Sequence, residues 1–286
     1  VAVEAVNKKD EDKLGTFLAR AAESDPTVVI SRNEDTHQTI LTAMGDTQVD
    51  MLMARLKEQT GVDAKLVPVR VPYRETIRKT AEAQGRHKKQ TGGAGQFGDV
   101  WIRFEPNPDE EELVFAEEVF GGSVPKNFFP AVEKGLREAC VHGVLAGYPM
   151  VNLKATLYDG SYHPVDSSEI AFKTAAQLAY KAALPEASPV LLEPVGELKV
   201  TIPDSYMGDV MGDLSSRRGM IQGTEARTGA TQIDALVPLS EMFGYATDLR
   251  SSTQGRGQYT MEPHSYVEIP KNIAEKIIAE RGRGSD

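Results

Sequence analysis

A glycine-rich stretch at residues 87–100, HKKQTGGAGQFGDV, contains the pattern G-x-G-x-x-G-x-V over residues 93–100. Patterns of this kind hold phosphates in dinucleotide-binding enzymes and in protein kinases. The four glycines at 92–98 let the backbone approach another surface closely, and the preceding lysines supply positive charge. The stretch therefore poses a choice between nucleotide chemistry and noncatalytic contact with a polyanion.

Neither nucleotide-binding pattern extends to the residues around the glycines. A dinucleotide site needs an apolar strand before the glycines and a helix after them, whereas here the polar residues 86–89 precede and the alternating residues 100–104 follow. The kinase motifs H-R-D, D-F-G and A-P-E are missing, as is the P-loop G-x-x-x-x-G-K-[ST]. We expect no catalytic site in this chain, and the loop is either a flexible hairpin end or a loop that contacts phosphate and ribose.

A second candidate site is the loop at 162–165, Tyr-His-Pro-Val. His163 could hydrogen-bond, stack on a base or carry charge, although a lone loop histidine can also have no role. The next residues, 166–169, match a capping box, which predicts Asp166 as a helix N-cap and Glu169 as its third residue. We therefore do not interpret these two carboxylates as a catalytic pair.

Metal and redox chemistry have no support in the sequence. The five histidines show no H-x-x-x-H or H-E-x-x-H spacing, and the single cysteine, Cys140, excludes an intrachain disulfide. Cys140 falls in an i, i+4 row with apolar residues, which predicts a core position. The arginines at 217, 218, 250 and 256 could contact RNA, another domain or a helix terminus, and the sequence leaves these open.

Composition and charge restrict the class of protein and its possible partners. The 286 residues carry a net charge of −10, which argues against nonspecific coating of nucleic acid. Residues 70–103 nevertheless hold eight basic side chains against three acidic ones, either a focal contact for a polyanion or a solvated face. No apolar run could span a bilayer and no signal segment opens the chain, so we expect a cytoplasmic protein without a membrane partner. The N-terminal residues alternate like a strand already under way, which suggests a piece of a longer chain.

Hydrophobic periodicity predicts the elements that must position these residues. Residues 1–70 have the order β-α-β-β-α-β, the arrangement of ferredoxin-like domains, and residues 190–286 repeat that order. The repeat includes a strand pair around the turn at 228–229 and ends in a helix at 272–280 before a frayed tail. The sequence therefore predicts three domains, with a different one at 71–189.

The middle domain, 71–189, mixes strands and helices. A strand at 100–104 is predicted to form a hairpin with residues 113–120 across a turn at 106–109. A helix follows, and a strand at 151–158 then leads through the histidine loop into a second helix.

Five segments together closely resemble bacterial elongation factor G, in family order and over essentially the whole chain. They are VPYRETI (71–77), HKKQTGGAGQFGDV (87–100), LYDGSYHPVDSSEIAFK (157–173), YMGDVMGDLSSRRG (206–219) and PLSEMFGYATDLRSSTQGRGQY (238–259). The resemblance is to the family's third, fourth and fifth domains. It implies an α+β fold in which two ferredoxin-like domains flank a domain similar to domain 2 of ribosomal protein S5, with a left-handed βαβ crossover.

The resemblance also implies partners and site residues. The middle domain would be an elongated, tRNA-mimicking probe of the ribosomal decoding site, with a first tip loop at 92–98 and a second tip loop at 162–165. By similarity, His163 and Gln96 contact tRNA or the mRNA–tRNA duplex, the residues at 88–90 contact RNA phosphates, and the last domain contacts large-subunit RNA and stalk-base proteins. The predicted RNA-contacting residues are Lys88, Lys89, Gln90, Gly92, Gly93, Gly95, Gln96, Phe97, Gly98, Tyr162, His163, Pro164, Arg250, Gln254 and Arg256.

Two departures from the family pattern suggest a paralogue. Met44-Gly45 is followed by Asp-Thr-Gln-Val-Asp at 46–50 instead of Glu-Leu-His-Leu-Glu, and Ala94 stands where arginine or another polar residue is common. Both are features expected of a second elongation factor G group, whose members can have narrower roles than translocation.

The sequence thus predicts the ribosome-binding, monomeric C-terminal portion of a translational GTPase that promotes tRNA–mRNA translocation. The chain itself would be no enzyme and bind no cofactor or metal, with GTP and magnesium in a missing N-terminal GTPase domain that acts in cis. An alternative is a paralogue in ribosome recycling or stress. Two other classes stay open: a nucleotide-binding enzyme built on residues 93–98, and a freestanding RNA-binding protein.

Overall fold

A computed structural model describes residues 1–90, 92–93 and 95–283 of the chain. The chain groups into two compact units. The first unit consists of residues 1–72 and 196–263, and the second of residues 73–195 together with those from 264 onward. No helix in the described ranges is long and apolar enough to cross a lipid bilayer.

The N-terminal part of the first unit is a ferredoxin-like fold. Its sheet has the antiparallel order β2-β3-β1-β4, and the two helices bury Leu14, Leu18 and Leu56 against it. Gly61, at φ 70°, ends the second helix in the left-handed conformation that glycine adopts most easily. The elements are β1 (Ala2–Ala5), α1 (Glu11–Ser24), β2 (Val29–Asn33), β3 (Gln38–Thr42), α2 (Asp46–Thr60) and β4 (Ala64–Val67).

The second unit contains a four-stranded sheet of order β6-β7-β9-β8. The predicted hairpin between residues 100–104 and 113–120 is wrong: β8 pairs in parallel with β9, which lies between it and β7. A parallel pair needs a crossover, and α3 provides it. The elements are β5 (Arg74–Ile77), β6 (Ala81–Lys89), β7 (Gln96–Pro106), β8 (Val114–Glu117), α3 (Phe129–Ala139), β9 (Leu153–Ser161) and α4 (Glu169–Ala183).

Helix α4 lies unusually close to the β6–β7 hairpin. A Cβ added to Gly85 would lie 1.8 Å from the Ala175 carbonyl oxygen, and one added to Gly98 would lie 2.5 Å from that of Ala171. Because both glycines admit the helix backbone, α4 packs directly on the two strands that carry the first tip loop. Cys140 follows α3 and packs against the same core, and burial raises the pKa of its thiol to about 12, consistent with the predicted structural role.

The remaining strands repeat the ferredoxin-like order. The sheet β11-β12-β10-β13 has the same arrangement as β2-β3-β1-β4, which confirms the repeat predicted from periodicity. Its elements, followed by the C-terminal helix, are β10 (Pro189–Ile202), α5 (Met207–Ser216), β11 (Met220–Arg227), β12 (Ala230–Pro238), α6 (Tyr245–Ser252), β13 (Gln258–Glu268) and α7 (Lys271–Arg283).

Helix α7 packs within the second unit. Its apolar side joins Ile269 and Leu191 in a cluster with Tyr148, and the guanidinium of Arg281 lies 4.5 Å from the Tyr148 ring centroid. The prediction of a frayed tail is therefore wrong at 281–283, which are helical, while residues 284–286 lie outside the described part.

A buried carboxylate holds the loop beside this cluster. Glu75 is 0% exposed, and its oxygens accept hydrogen bonds from the backbone N–H groups of Leu145 at 2.7 Å, Ala146 at 3.0 Å and Tyr148 at 2.9 Å. Burial raises the pKa of Glu75, and the amide hydrogen bonds oppose that rise.

Candidate nucleic-acid interface

The β6–β7 hairpin projects the predicted basic residues at its end. Lys88 pairs with Phe97 and Lys89 with Gln96 at the last positions of the ladder. Lys88, Lys89 and Gln90 are exposed, and none of the three side chains has a protein partner among the described residues. Two unpaired ammonium groups at the end of a hairpin are suited to contact phosphate.

The glycines of the first tip loop have two different roles. Gly92 and Gly93 are exposed, and Gly92 has a φ of 36°, a conformation in which a side chain would be strained. Gly95 and Gly98 instead permit close approach, since a Cβ on Gly95 would lie 2.6 Å from the Asp166 carboxylate. Thr91 and Ala94, including the family departure at residue 94, lie outside the described residues.

The second tip loop leaves Tyr162, His163 and Pro164 exposed before helix α4. The predicted N-cap, Asp166, is wrong: the helix begins at Glu169, and the hydroxyl of Ser168 accepts the N–H of Ala171 at 3.2 Å. Asp166 lies too early in the chain for capping, and its carboxylate lies against Gly95 instead.

Two hydrogen bonds join the segments that carry the two tip loops, and a third continues the connection to His163. The backbone N–H of Phe97 donates to the Asp166 carbonyl at 2.8 Å. The hydroxyl of Ser167 donates to the Phe97 carbonyl at 3.0 Å and accepts the N–H of His163 at 2.8 Å. The predicted tip residues of both loops therefore form one connected structure.

Side chains around His163 continue this connection. Its Nδ1 accepts the backbone N–H of Asp166 at 3.1 Å and of Val165 at 3.3 Å. The His163 ring centroid lies 6.4 Å from that of Phe97, which in turn lies 5.5 Å from the guanidinium carbon of Arg86. This cation–π contact fixes the Phe97 ring.

Gln96 is also oriented by a neighbour in the hairpin. Its side-chain oxygen lies 2.8 Å from Nε2 of His87, a histidine that was not among the predicted site residues. The contact leaves the amide NH₂ of Gln96 as the group available to a ligand.

The structure places the other predicted residues, Arg250, Gln254 and Arg256, in the first unit. All three are exposed, and Arg250 Nη1 donates to the carbonyl of Met44 at 2.7 Å. Their loop is held by Thr253, whose hydroxyl donates to the Leu249 carbonyl at 2.6 Å. They belong to a compact unit different from the one that carries the tip loops.

Arg217, at the C-terminal end of helix α5, has a structural role. Its side chain is only 11% exposed, pairs with Asp213 and Asp248, and lies 5.0 Å from the ring centroid of Tyr245. These contacts favour the helix-terminus alternative over RNA contact for Arg217, which caps the C-terminal end of α5.

The sequence did not identify Ser167 or Arg86 as part of the site. One signal was present for Ser167: the run Asp-Ser-Ser-Glu at 166–169 offers three possible caps where a helix uses one. Among the residues that the structure describes, no three His, Cys, Asp or Glu side chains cluster as metal ligands do. The arrangement displays cations and hydrogen-bond donors near the end of a hairpin, which is chemistry suited to an anionic surface.

Comparisons with known proteins give the same family for three successive segments of the chain. Residues 1–68 match the family model "Elongation Factor G, domain III", residues 69–188 match "Elongation factor G, domain IV", and residues 190–277 match "Elongation factor G C-terminus". The crystal structure of ttk003000868 from Thermus thermophilus is similar, with a TM-score of 0.88 and 43% identity. The match covers 99% of this chain and 42% of that one, so this chain spans less than half the length of its relative.

Proposed function

This chain belongs to the elongation factor G family, and on that premise we propose that it is the ribosome-binding C-terminal portion of a translational GTPase that promotes tRNA–mRNA translocation. The observation that carries the proposal is the joined pair of tip loops. It exposes Lys88, Lys89 and His163 together at one end of the second unit. Cations and a polar ring on two hydrogen-bonded loops suit contact with folded RNA.

The proposed mechanism is mechanical. In this proposal an N-terminal GTPase domain would hold GTP and magnesium, and its reorientation on the ribosome would bring the tip loops into the decoding site. Binding of the tip there favours one position of the tRNAs over the other, which is a population shift. The residues of this chain bind and orient RNA in this proposal, and they make or break no covalent bond.

A specialised paralogue in recycling or stress is the second candidate, and the segment after Gly45 favours it. Gln48 stands within the altered family motif, where its amide donates to Asp25 at 2.9 Å and to Thr27 at 2.8 Å. Its oxygen accepts the N–H of Met44 at 2.9 Å. The altered residue Gln48 thus serves to hold the local structure of its own segment. Parallel translocation and ribosome-splitting assays on the full-length protein separate the two roles.

His163→Ala in the full-length protein tests the translocation proposal. We expect tRNA–mRNA movement to slow about tenfold, the effect of losing one or two good hydrogen bonds. Ribosome-stimulated GTP hydrolysis should stay largely intact, because the variant leaves the GTPase domain unchanged. Rapid mixing with fluorescent mRNA measures the movement.

His142→Ala is the matched control, since this exposed histidine follows helix α3 and lies outside both tip loops. Movement at the wild-type rate in His163→Ala would remove the role assigned to the tip.

A further inference from the structure

We propose that Ser167 is the positioning residue of the tip: it joins the two loops and fixes His163 in the Nε2–H tautomer, so that the ring offers RNA a hydrogen-bond donor. The RNA ligand in this inference rests on the proposed function, whereas the tautomer and the role of Ser167 rest on the geometry alone.

The Ser167 hydroxyl acts both as a hydrogen-bond donor and as a hydrogen-bond acceptor. The hydroxyl donates to the carbonyl of Phe97, which is 70 positions earlier in the chain, and accepts the N–H of His163, which is four positions earlier. Its backbone N–H donates to the His163 carbonyl at 3.1 Å. A serine hydroxyl has one proton and can do both only in a fixed orientation. Ser167 therefore holds the backbone of His163 at a set position on the β6–β7 hairpin.

The hydrogen bonds to the His163 ring determine its tautomer. The backbone N–H groups of Val165 and Asp166 can only donate, and both point to Nδ1. In the neutral ring Nδ1 therefore carries no proton, and the proton is on Nε2. Nε2 has no protein partner among the described residues, and the side chain is 51% exposed.

Two charged side chains of the described residues approach the ring or its neighbour Phe97. The Asp166 carboxylate lies 3.6 Å from Nδ1, and the guanidinium of Arg86 is on the Phe97 ring. Neither contacts Nε2.

The fixed tautomer defines the chemistry of the group that His163 recognises. An Nε2–H donor pairs with an acceptor, such as a phosphate oxygen, a ribose 2′-oxygen or an acceptor atom on a base edge. It does not pair with an exocyclic amine. Lys88 and Lys89, which have no side-chain partner within the described ranges, add positive charge on the same hairpin, so a phosphate or ribose oxygen of RNA is the favoured partner.

Nitrogen-15 spectra of the histidine-labelled chain at about pH 8, above the ordinary histidine pKa, test the tautomer directly. We expect His163 to be a single Nε2–H species in the wild type and in Ser167→Thr, which keeps the hydroxyl. Ser167→Ala should give a mixture of both tautomers. Ser168→Ala is the control, because it removes a neighbouring hydroxyl that caps α4 and should leave the tautomer unchanged. A wild-type ring protonated on Nδ1, or an unchanged ring in Ser167→Ala, would overturn the proposal.

A translocation assay on the full-length protein tests the functional consequence. Ser167→Ala should slow movement about tenfold, with Ser167→Thr restoring most of the rate. If His163→Ala slows movement and Ser167→Ala does not, the positioning role is wrong and the proposed function stands. If Ser167→Ala changes the tautomer but His163→Ala leaves movement unchanged, the geometric inference holds and the proposed function fails.

Discussion

Glu75 is a buried carboxylate whose ionisation depends on the loop that it holds. Both of its carboxylate oxygens accept backbone N–H groups of the loop at 145–148, and the residue has no access to solvent. The amides favour the ionised form, but loss of hydration opposes it more strongly, so the pKa lies above its ordinary 4.5. Ionising Glu75 thus costs more free energy in the folded chain than in the unfolded chain.

The raised pKa of Glu75 predicts that its contribution to the free energy of unfolding decreases as pH rises. Because the folded pKa is raised, the contribution of Glu75 to the free energy of unfolding is fully present below about pH 4.5 and is lost as pH rises through the folded pKa. We therefore expect the stability of the wild type relative to Glu75→Gln to fall over that window. Urea unfolding at a series of pH values measures it.

Glu112→Gln serves as the control, since Glu112 is exposed in the same unit and should show a flat difference. A relative stability that rises with pH would mean that the amide hydrogen bonds outweigh the burial of the charge.

At the scale of elements, the hydrophobic pattern predicts the helices and strands that pack within their own segment of the chain. The apolar spacing of α1 and α2 predicts the first βαββαβ fold and that of α5 and α6 the second, because each helix packs on the sheet of its own segment. The β7 partner was wrong because β9, which arrives from beyond α3, pairs with both β7 and β8. No feature within residues 96–120 encodes the arrival of that strand.

The candidate site was predictable to a similar extent. Composition and the family resemblance identified the exposed residues of both tip loops, since glycines, lysines and a loop histidine are visible in sequence. The role of Ser167 was not visible, because it depends on a carbonyl 70 positions away. The N-cap at Ser168 was also not visible in the sequence, because Asp166 contacts Gly95, a residue distant in the chain, instead of capping the helix.

Two glycine substitutions should change stability in opposite directions. Gly85 lies where α4 packs closely on β6, whereas Gly15 in α1 has open space beside it. Gly85→Ala places a methyl carbon 1.8 Å from the Ala175 carbonyl oxygen, so the backbone of β6 or of α4 would have to shift to admit it. We expect a loss of about 3 kcal/mol or more in the free energy of unfolding of the second unit. Gly15→Ala in α1 meets no atom within 4 Å and should instead stabilise the first unit by about 1 kcal/mol.

Urea unfolding, followed by one spectroscopic probe in each unit, separates the effect of Gly85→Ala from that of Gly15→Ala. Trp101 reports on the second unit, and as the only tryptophan it gives a clean signal there. Equal stability of Gly85→Ala and wild type would show that α4 can shift away from the hairpin.

At the scale of the whole molecule, the charge distribution sets how the chain can meet RNA. A net charge of −10 repels a polyanion at long range, so attraction has to come from local groups. Lys88 and Lys89 are suited to this because they are exposed and unpaired within the described part of the chain. Contact with phosphates releases counterions, and affinity then depends on salt.

The double substitution Lys88→Ala, Lys89→Ala tests this distribution in the full-length protein. If both lysines contact phosphates, the slope of log affinity for ribosomes against log salt should become shallower by about 1.5. Lys8→Ala, Lys9→Ala is a matched control, since it removes the same charge from two adjacent exposed lysines in the first unit. Binding measured by sedimentation between about 50 and 200 mM salt gives both slopes. Equal changes in the two variants would mean that total charge, and not the position of the lysines at the tip, governs binding, whereas a change confined to the tip pair places the phosphate contacts on the β6–β7 hairpin.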